Sequence, residues 1–482
     1  MNKTLLKNYI YYILYQVVTL LTPIIVVPYT TRVIGANGLG VNAFTSAIAQ
    51  WFIIFGIMGI SMYGNKQIAK VRDNREELSK TFMGILVMQF INMALAIVMY
   101  LGFIYFAPLE NKLIYFIQAV VLLATMFDIT WFYLGIENFK QSSIRNVIFR
   151  LLNVALIFIF VKSADDLAIF VFINTFTALL GQVVLFVQLG KYVDIKWVSI
   201  VEAYKTHMRP NFILFIPQIA ISIYSVLDQT MTGLLSVDTA QLAFYQQAIR
   251  FDKMFLMFIT SIGMVMLPRI ANEHAKGDTS KIHEYLSMTM KIALYLSIPM
   301  MFGMIGVGPF FISWFMAPEF NSVGYLIGLM SPIIVFISLS NVYGIQYMVP
   351  TDMLKQFSYS VVFGAIVNFI LNLILIPKWG AYGSALSVLA AEFTVTFSQY
   401  LFIRKKLILH IKLKSILIYF GSGAIMCGLV YGIGLKMGPR ILTNLIQAGL
   451  GILVYGSLLT LFKDEFHMNL LSKIPLGKLW HK

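Results

Sequence analysis

The sequence predicts an all-α integral membrane protein with about fourteen transmembrane helices. Two observations lead there. Apolar runs of about 20 residues recur along the whole chain, each long enough to cross roughly 30 Å of hydrocarbon. The 482 residues are also 59% hydrophobic and only 12% charged, more apolar surface than a soluble chain can hide. Hydrocarbon offers backbone amides no partner, so the runs must satisfy their own hydrogen bonds as helices.

In chain order the spans fall near 8–34, 41–63, 81–107, 113–134, 146–162, 167–189, 211–234, 241–270, 285–308, 321–348, 357–376, 382–402, 415–435 and 442–462. The first is too long for the apolar core of a cleaved signal peptide. The loops are short, and none holds a separate domain. Lys and Arg gather in alternate loops, most densely over Lys66–Lys80 and Arg404–Lys414. The opposite loops hold only Arg32, Lys112, Lys162, Lys378, Lys436 and Arg440. That bias predicts both termini on the cytoplasmic side of a cell membrane. The net charge of +15 is then cationic loop facing anionic lipid, not nucleic-acid binding. One cysteine, Cys427, excludes an internal disulfide.

A faint repeat runs through the chain. GISMYGNKQIAK (59–70) closes the second span and GMVMLPRIAN (263–272) closes the eighth. Both enter the same side, so the repeat is parallel. It predicts two six-helix lobes, 1–208 and 209–408, with 409–482 as two peripheral helices and a basic tail.

Polar residues inside spans are costly unless they face a neighbour or water, so their spacing marks wet or packed faces. Span 7 places Gln218, Ser222, Ser225 and Gln229 on one helix face, with Asp228 beside it. Span 8 places Gln246, Arg250 and Lys253 on one face, the two cations about 15 Å below its outer end. That is further than a side chain snorkels, so they call for an anion, water or an acid such as Asp228. Span 5 carries Asn146, Arg150 and Asn153, with Arg150 read near the span's start, where it could reach the surface. Span 11 carries Ser360, Gly364, Asn368 and Asn372; span 12 carries Glu392, Thr396 and Gln399. Asp128, Asp228 and Glu392 are the acids that could carry H+ or hold Na+. Structural alternatives stand beside each: small and polar residues also glue helices together, and buried acids can simply be paired.

Enzyme chemistry has no foothold. The six histidines fall in predicted cytoplasmic segments without metal-ligand spacing, so no metal centre is expected. There is no phosphate-binding loop, and the glycines Gly35, Gly38 and Gly40 follow a membrane span with the wrong spacing for a dinucleotide fold. No outer loop holds the carboxylate pair a glycosyltransferase would need.

The stretch KNYIYYILYQVVTLLTPIIVVPYTTRVIGANGLGVNAF (7–44) resembles the first-helix signature of the Wzx-type polysaccharide-transport flippases, within the multidrug/oligosaccharidyl-lipid/polysaccharide exporter superfamily. Pro28, Tyr29, Arg32, Val33, Gly35, Gly38 and Gly40 carry the match. The resemblance implies a flippase, not an enzyme, that moves undecaprenyl-diphosphate-linked oligosaccharide units to the outer leaflet for capsule, exopolysaccharide or O-antigen assembly. It implies alternating access through a cationic cavity, no cofactor beyond H+ or Na+ coupling, and work alongside a polysaccharide polymerase. On that reading Arg250, Lys253, Gln246, Gln218, Ser222, Ser225, Gln229, Arg32 and Arg150 are candidate substrate contacts. Pro23, Pro28, Gly35, Gly38 and Gly40 are candidate gating positions. A lipid II flippase and a cation-coupled multidrug antiporter are the alternatives, the second disfavoured by cations that would repel a cationic drug.

Overall fold

The computed structural model describes residues 3–195, 198–407 and 412–473. All regular structure among them is helical. Eleven helical segments are long and apolar enough to cross a bilayer, and the bent pair Pro318–Met330 and Pro332–Met348 makes a twelfth. Fourteen is therefore not reached among the described residues. The helices that carry predicted spans 7 and 8 run 36 residues each, with some side chains outside the described set.

The chain packs as two compact units that divide around residues 233–241. The first holds α1 (Lys3–Val33), α2 (Gly35–Ile57), α3 (Ile60–Val71), α4 (Arg75–Phe106), α5 (Lys112–Met126), α6 (Thr130–Gly135), α7 (Phe139–Phe160), α8 (Leu167–Phe186) and nearly all of α9 (Ile200–Leu235). Helix α9 groups here because it is bonded to its neighbours. Trp51 Nε1 donates to Thr230 Oγ1 at 2.9 Å, and the Tyr204 hydroxyl donates to Asn92 Oδ1. The packing units thus differ from the repeat halves 1–208 and 209–408.

Local chemistry sets the ends. Asn74 Oδ1 caps α4, accepting from the amides of Glu76 and Glu77, whose carboxylates also suit the positive end of the helix dipole. The junction of α1 and α2 is a single residue, Ile34, followed by Gly35 at φ 77°, a left-handed backbone that favours glycine. The Gly35–Gly40 run, which lies between the predicted spans 8–34 and 41–63, is otherwise the first turns of α2. Helix α5 stops at Met126, and α6 restarts four residues later. Gln89 of α4 bridges this break. Its Nε2 lies 3.0–3.1 Å from the carbonyls of Thr125, Met126 and Asp128, and its Oε1 accepts from Trp131 Nε1 at 3.0 Å.

Three cations of the basic stretch Lys66–Lys80 are paired with acids distant in sequence: Arg72 with Glu137, Arg75 with Asp194, and Lys80 with Glu202 in the first turn of α9. Close by, Tyr63 Oη lies 2.8 Å from His207 Nδ1. His207 precedes the seventh predicted span and is 7% exposed. Burial pushes its imidazole down from 6.5 to about 4. The folded protein holds it neutral where the unfolded chain would be protonated. Its contribution is therefore full above pH 6.5 and is lost as pH falls toward 4. The melting temperature of the purified protein should drop across that window, and drop less in His207→Gln. Equal pH slopes for the two proteins would refute this.

The second unit holds α10 (Ala240–Ala275) but for its first residue, α11 (Thr279–Phe315), α12 (Asn321–Met330), α13 (Pro332–Ser340), a π-helical stretch at Asn341–Met348, α14 (Leu354–Trp379), α15 (Ala381–Ile403), α16 (Leu413–Met437), α17 (Ile441–Leu461) and α18 (Glu465–Lys473). Helix α14 shows the membrane's signature plainly. Ser360, Asn368 and Asn372 are fully buried, while Tyr359, Phe363, Ile366, Ile370 and Ile374 are exposed. Polar inside and apolar outside is the reverse of a soluble helix. The polar stripe is joined up: Gln399 Nε2 of α15 donates to Ser360 Oγ at 3.2 Å, and Asn372 Nδ2 donates to Asn368 Oδ1 at 2.9 Å. The protein is a multi-pass membrane protein.

Helix α18 is held against α11, α16 and α17 by a buried polar knot. Asp464 Oδ1 accepts from the Tyr419 hydroxyl and from the His467 amide, both at 3.0 Å. Thr460 donates its hydroxyl proton to the Gly456 carbonyl, so its oxygen is left to accept from His467 Nε2 at 3.1 Å. His467 Nδ1 then accepts from the Tyr295 hydroxyl at 2.9 Å. Asp464→Ala removes the central acceptor, at about 1.5–3 kcal/mol for bonds to a charged group. Amide exchange across α18 should quicken by tenfold or more while α16 is unaffected. Unchanged exchange in α18 would show that the knot does not hold the helix.

Candidate substrate pockets

Two polar cavities open within the first unit. The larger, about 340 Å³, lies among α1, α7 and α8. It is built from one face of α7, the series Arg145, Asn146, Phe149, Arg150 and Asn153, set against Asn174, Thr177, Gly181 and Gln182 of α8. The steps of three and four residues put each series on one helix face. No acidic side chain lines it.

The cavity's polar groups are positioned by short, named bonds. Arg150 Nη1 donates to Thr19 Oγ1 of α1 at 2.9 Å. Asn153 Nδ2 is 3.1 Å from Asn174 Oδ1 and 3.0 Å from Thr177 Oγ1, which ties α7 to α8. Arg145 Nη2 donates to Thr130 Oγ1 at 3.1 Å, and the Thr130 amide donates to Asp128 Oδ1 at 2.9 Å. The break between α5 and α6 therefore orients Arg145. Two buried atoms are left over: Arg145 Nε and Gln182 Oε1 have no hydrogen-bond partner.

The smaller cavity, about 280 Å³, lies between α2 and α9 and is lined by Ser46, Gln50, Ser225 and Gln229. It collects two of the four span-7 residues that the sequence singled out. The side chains of the other two, Gln218 and Ser222, lie outside the described residues.

The remaining sequence candidates are spread over both units. Arg150 sits twelve residues into α7, which starts at Phe139, so it is a mid-helix residue and not a residue at the span's start. Arg32 is exposed, its Nη1 donating to the Pro28 carbonyl at 2.7 Å. Pro23 and Pro28 lie inside α1, and Gly38 and Gly40 inside α2. Asp128 serves as the acceptor at the start of α6. Asp228 is buried on α9, and Glu392 half-buried on α15. On α10, Gln246 is half-buried and Arg250 and Lys253 are exposed, while the neighbouring Asp252 is 1% exposed with no partner for either carboxylate oxygen. Among the described residues no cluster of His, Cys, Asp or Glu could hold a metal ion.

Arg145, Tyr15, Asn174, Thr177 and Gln182 were missed from the sequence. Arg145 lies one residue before the predicted start of span 5 at 146. For Asn174 and Thr177 the signal was present, since with Gly181 they step by three and four along span 6.

Lipid-facing apolar helices around a basic, amide-lined cavity are the make-up of a membrane transporter. The comparisons with known proteins agree. The model of the family described as polysaccharide biosynthesis protein matches residues 5–274, and the MatE model matches residues 214–374. The chain belongs to the polysaccharide biosynthesis protein family, within the multidrug/oligosaccharidyl-lipid/polysaccharide superfamily. A protein of Escherichia coli named putative O-antigen transporter is 24% identical over 84% of this chain and 98% of its own length. The fold is that of the lipid II flippase MurJ in an inward closed conformation, with TM-score 0.75 at 16% identity over 97% of this chain and all of that one. A multidrug resistance MATE family transporter in an inward-facing conformation gives TM-score 0.61 at 14% identity, over 82% of this chain and 94% of the other.

Proposed function

We propose that this protein is a flippase that carries undecaprenyl-diphosphate-linked oligosaccharide units from the inner to the outer leaflet of a bacterial cell membrane, for capsule, exopolysaccharide or O-antigen assembly. The observation that carries this reading is the basic, acid-free cavity of α7 and α8 inside a chain of the polysaccharide biosynthesis family. A diphosphate and its sugars cannot enter hydrocarbon unaided, and guanidinium and amide groups replace the water they give up. Names of relatives support it: putative O-antigen transporters in two enterobacteria and a probable flippase in Haloferax volcanii.

In this reading α9 and α10 cross as the seventh and eighth of fourteen spans, both termini face the cytoplasm, and the halves 1–208 and 209–408 alternate access to a cationic cavity. Arg250 and Lys253 add to the substrate's anion contacts. An H+ or Na+ gradient drives the cycle through Asp228, Glu392 or Asp128, and a polysaccharide polymerase receives the product. The likeness to MurJ makes a lipid II flippase the second reading.

The test is the lipid-linked oligosaccharide pool of cells depleted of the protein, with leaflet sidedness read by an impermeant reagent. Finished repeat units should build up in the inner leaflet. A normal oligosaccharide pool with lipid II trapped inside would replace this reading with the second.

A further inference from the structure

We infer that the corner between α17 and α18 is a binding surface for anionic phospholipid of the inner leaflet: α18 lies in the headgroup layer, free lysines beside it hold phosphate, and its apolar flanks reach the acyl chains. The leaflet rests on the proposed orientation, with the C-terminus on the cytoplasmic side. No other part of the flippase reading is used.

Depth comes first. Helix α17 has 21 residues, about 32 Å of helix, so its ends fall at the two surfaces of the hydrocarbon. Helix α18 does not run on from it. Lys463 takes a left-handed backbone, φ 50°, and the chain turns back. His467 Nε2 then lies 3.1 Å from Thr460 Oγ1 in the last turn of α17. The bond between Asp464 and Tyr419 sets the start of α18 level with the second turn of α16. A helix projecting into water would make neither contact.

Sidedness comes next. On α18, His467 and Leu471 stand one turn apart and face the protein, the first buried and the second half-buried. Phe466 meets Tyr295 edge-on, with ring centroids 5.3 Å apart. Met468 and Leu470 are exposed on the flanks, as are Leu461 and Phe462 where α17 ends. Glu465, Asn469 and Ser472 make the polar side. Four large apolar side chains gathered at one helix end are covered if α18 lies along the interface and left in water if it does not.

Charge then selects the lipid. Lys412 pairs with Glu465, the exposed acid of α18, and Lys291 is near enough to act on the same carboxyl. The Lys412 ammonium, with Lys291 behind it, holds that carboxyl below the usual carboxylate range. Lys414, two residues after Lys412, and Lys463, two before Glu465, are exposed and have no acid partner among the described residues. Such ammonium groups donate charge-assisted hydrogen bonds to phosphate, and a headgroup of net negative charge suits them better than a zwitterionic one. Lipid bound here closes the knot of Asp464, Tyr419, Tyr295 and His467 from outside.

The experiment is hydrogen exchange of the full-length protein in nanodiscs of phosphatidylcholine, with and without added phosphatidylglycerol. Exchange across α18 should be at least about fivefold slower with phosphatidylglycerol, the effect of a single lysine near an anionic surface. The difference should shrink at high salt, with α16 unaffected. Lys414→Gln combined with Lys463→Gln should abolish the difference and leave the rate in phosphatidylcholine as it was. Met468→Ser combined with Leu470→Ser should quicken exchange in both lipids. Equal rates in the two lipids, or a difference that survives loss of both lysines, would overturn the site. So would protection that needs two protomers in one disc, which would make the occupant a second copy. Orientation is read separately: Asn469→Cys in a Cys427→Ser background should resist an impermeant thiol reagent in intact cells, and labelling from outside would overturn the leaflet. A normal lipid-linked pool on depletion would end the flippase reading and leave the lipid site standing.

Discussion

Gln89→Leu is expected to prevent the first unit from reaching a stable fold. Gln89 is fully buried, and its amide nitrogen serves three carbonyls around the end of α5, while its oxygen takes the indole N–H of Trp131, itself 2% exposed. Leucine fits the volume but removes every one of those partners. The Trp131 indole N–H is left buried and unpaired at about 1–3 kcal/mol, and the part-buried carbonyls of Met126 and Asp128 lose a donor while that of Thr125 keeps the Asp128 amide, so a loss of about 2–5 kcal/mol follows. The upper end of that range is comparable to the whole stability of many domains. The consequence reaches the cavity, because the same break presents Thr130 to Arg145. Size-exclusion profiles and thermal unfolding of the purified variant are the measurement; a monodisperse protein with the wild-type melting temperature would show that the break does not depend on Gln89.

Gly40→Ala should be nearly as damaging, and Gly38→Ala mild, although the two glycines stand two residues apart on α2. A Cβ at residue 40 would sit 2.1 Å from the Thr239 carbonyl oxygen and 2.5 Å from its carbon. Backbone in the α9–α10 turn would have to move, an overpacking cost of about 1–3 kcal/mol or more. A Cβ at residue 38 meets first the Cγ2 methyl of Ile34 at 2.7 Å, a side-chain atom that shifts with a χ1 change of Ile34, at a smaller cost than moving backbone. The melting temperature should fall clearly in the first variant and by a degree or two in the second. Equal melting temperatures would mean that the close approach is absent in solution. The pair also separates packing from gating: transport lost in both variants with stability kept in Gly38→Ala would favour a hinge in this stretch.

Much of the architecture was legible in residue order. The polar stripe Ser360, Gly364, Asn368, Asn372 was visible as steps of four, and it is the buried face of α14. The span-7 stripe was equally visible, and its Ser225 and Gln229 line the cavity against α2. Both follow from local periodicity, since one face of a helix recurs every 3.6 residues whatever its partner. The start of α7 was not legible. Gln141, Ser142, Ser143 and Arg145 lower the local hydropathy, so hydropathy alone starts the span at 146 and places Arg145 outside it. The helix begins at Phe139 because those side chains find partners: Gln141 donates to Gln188 at 2.6 Å and Arg145 to Thr130.

By itself, then, the sequence determined the all-helical membrane class, most spans, and which face of several helices is polar. Those properties depend on composition and on spacing within one segment. Tertiary structure alone decided that Gln89 bridges the α5–α6 break, that Gly40 is a point of backbone contact, and that Arg145 and Arg150 share a cavity with Asn174 and Gln182. Each of those depends on a partner tens to about two hundred residues away, and nothing in the periodicity of one helix says which other helix its polar face will meet.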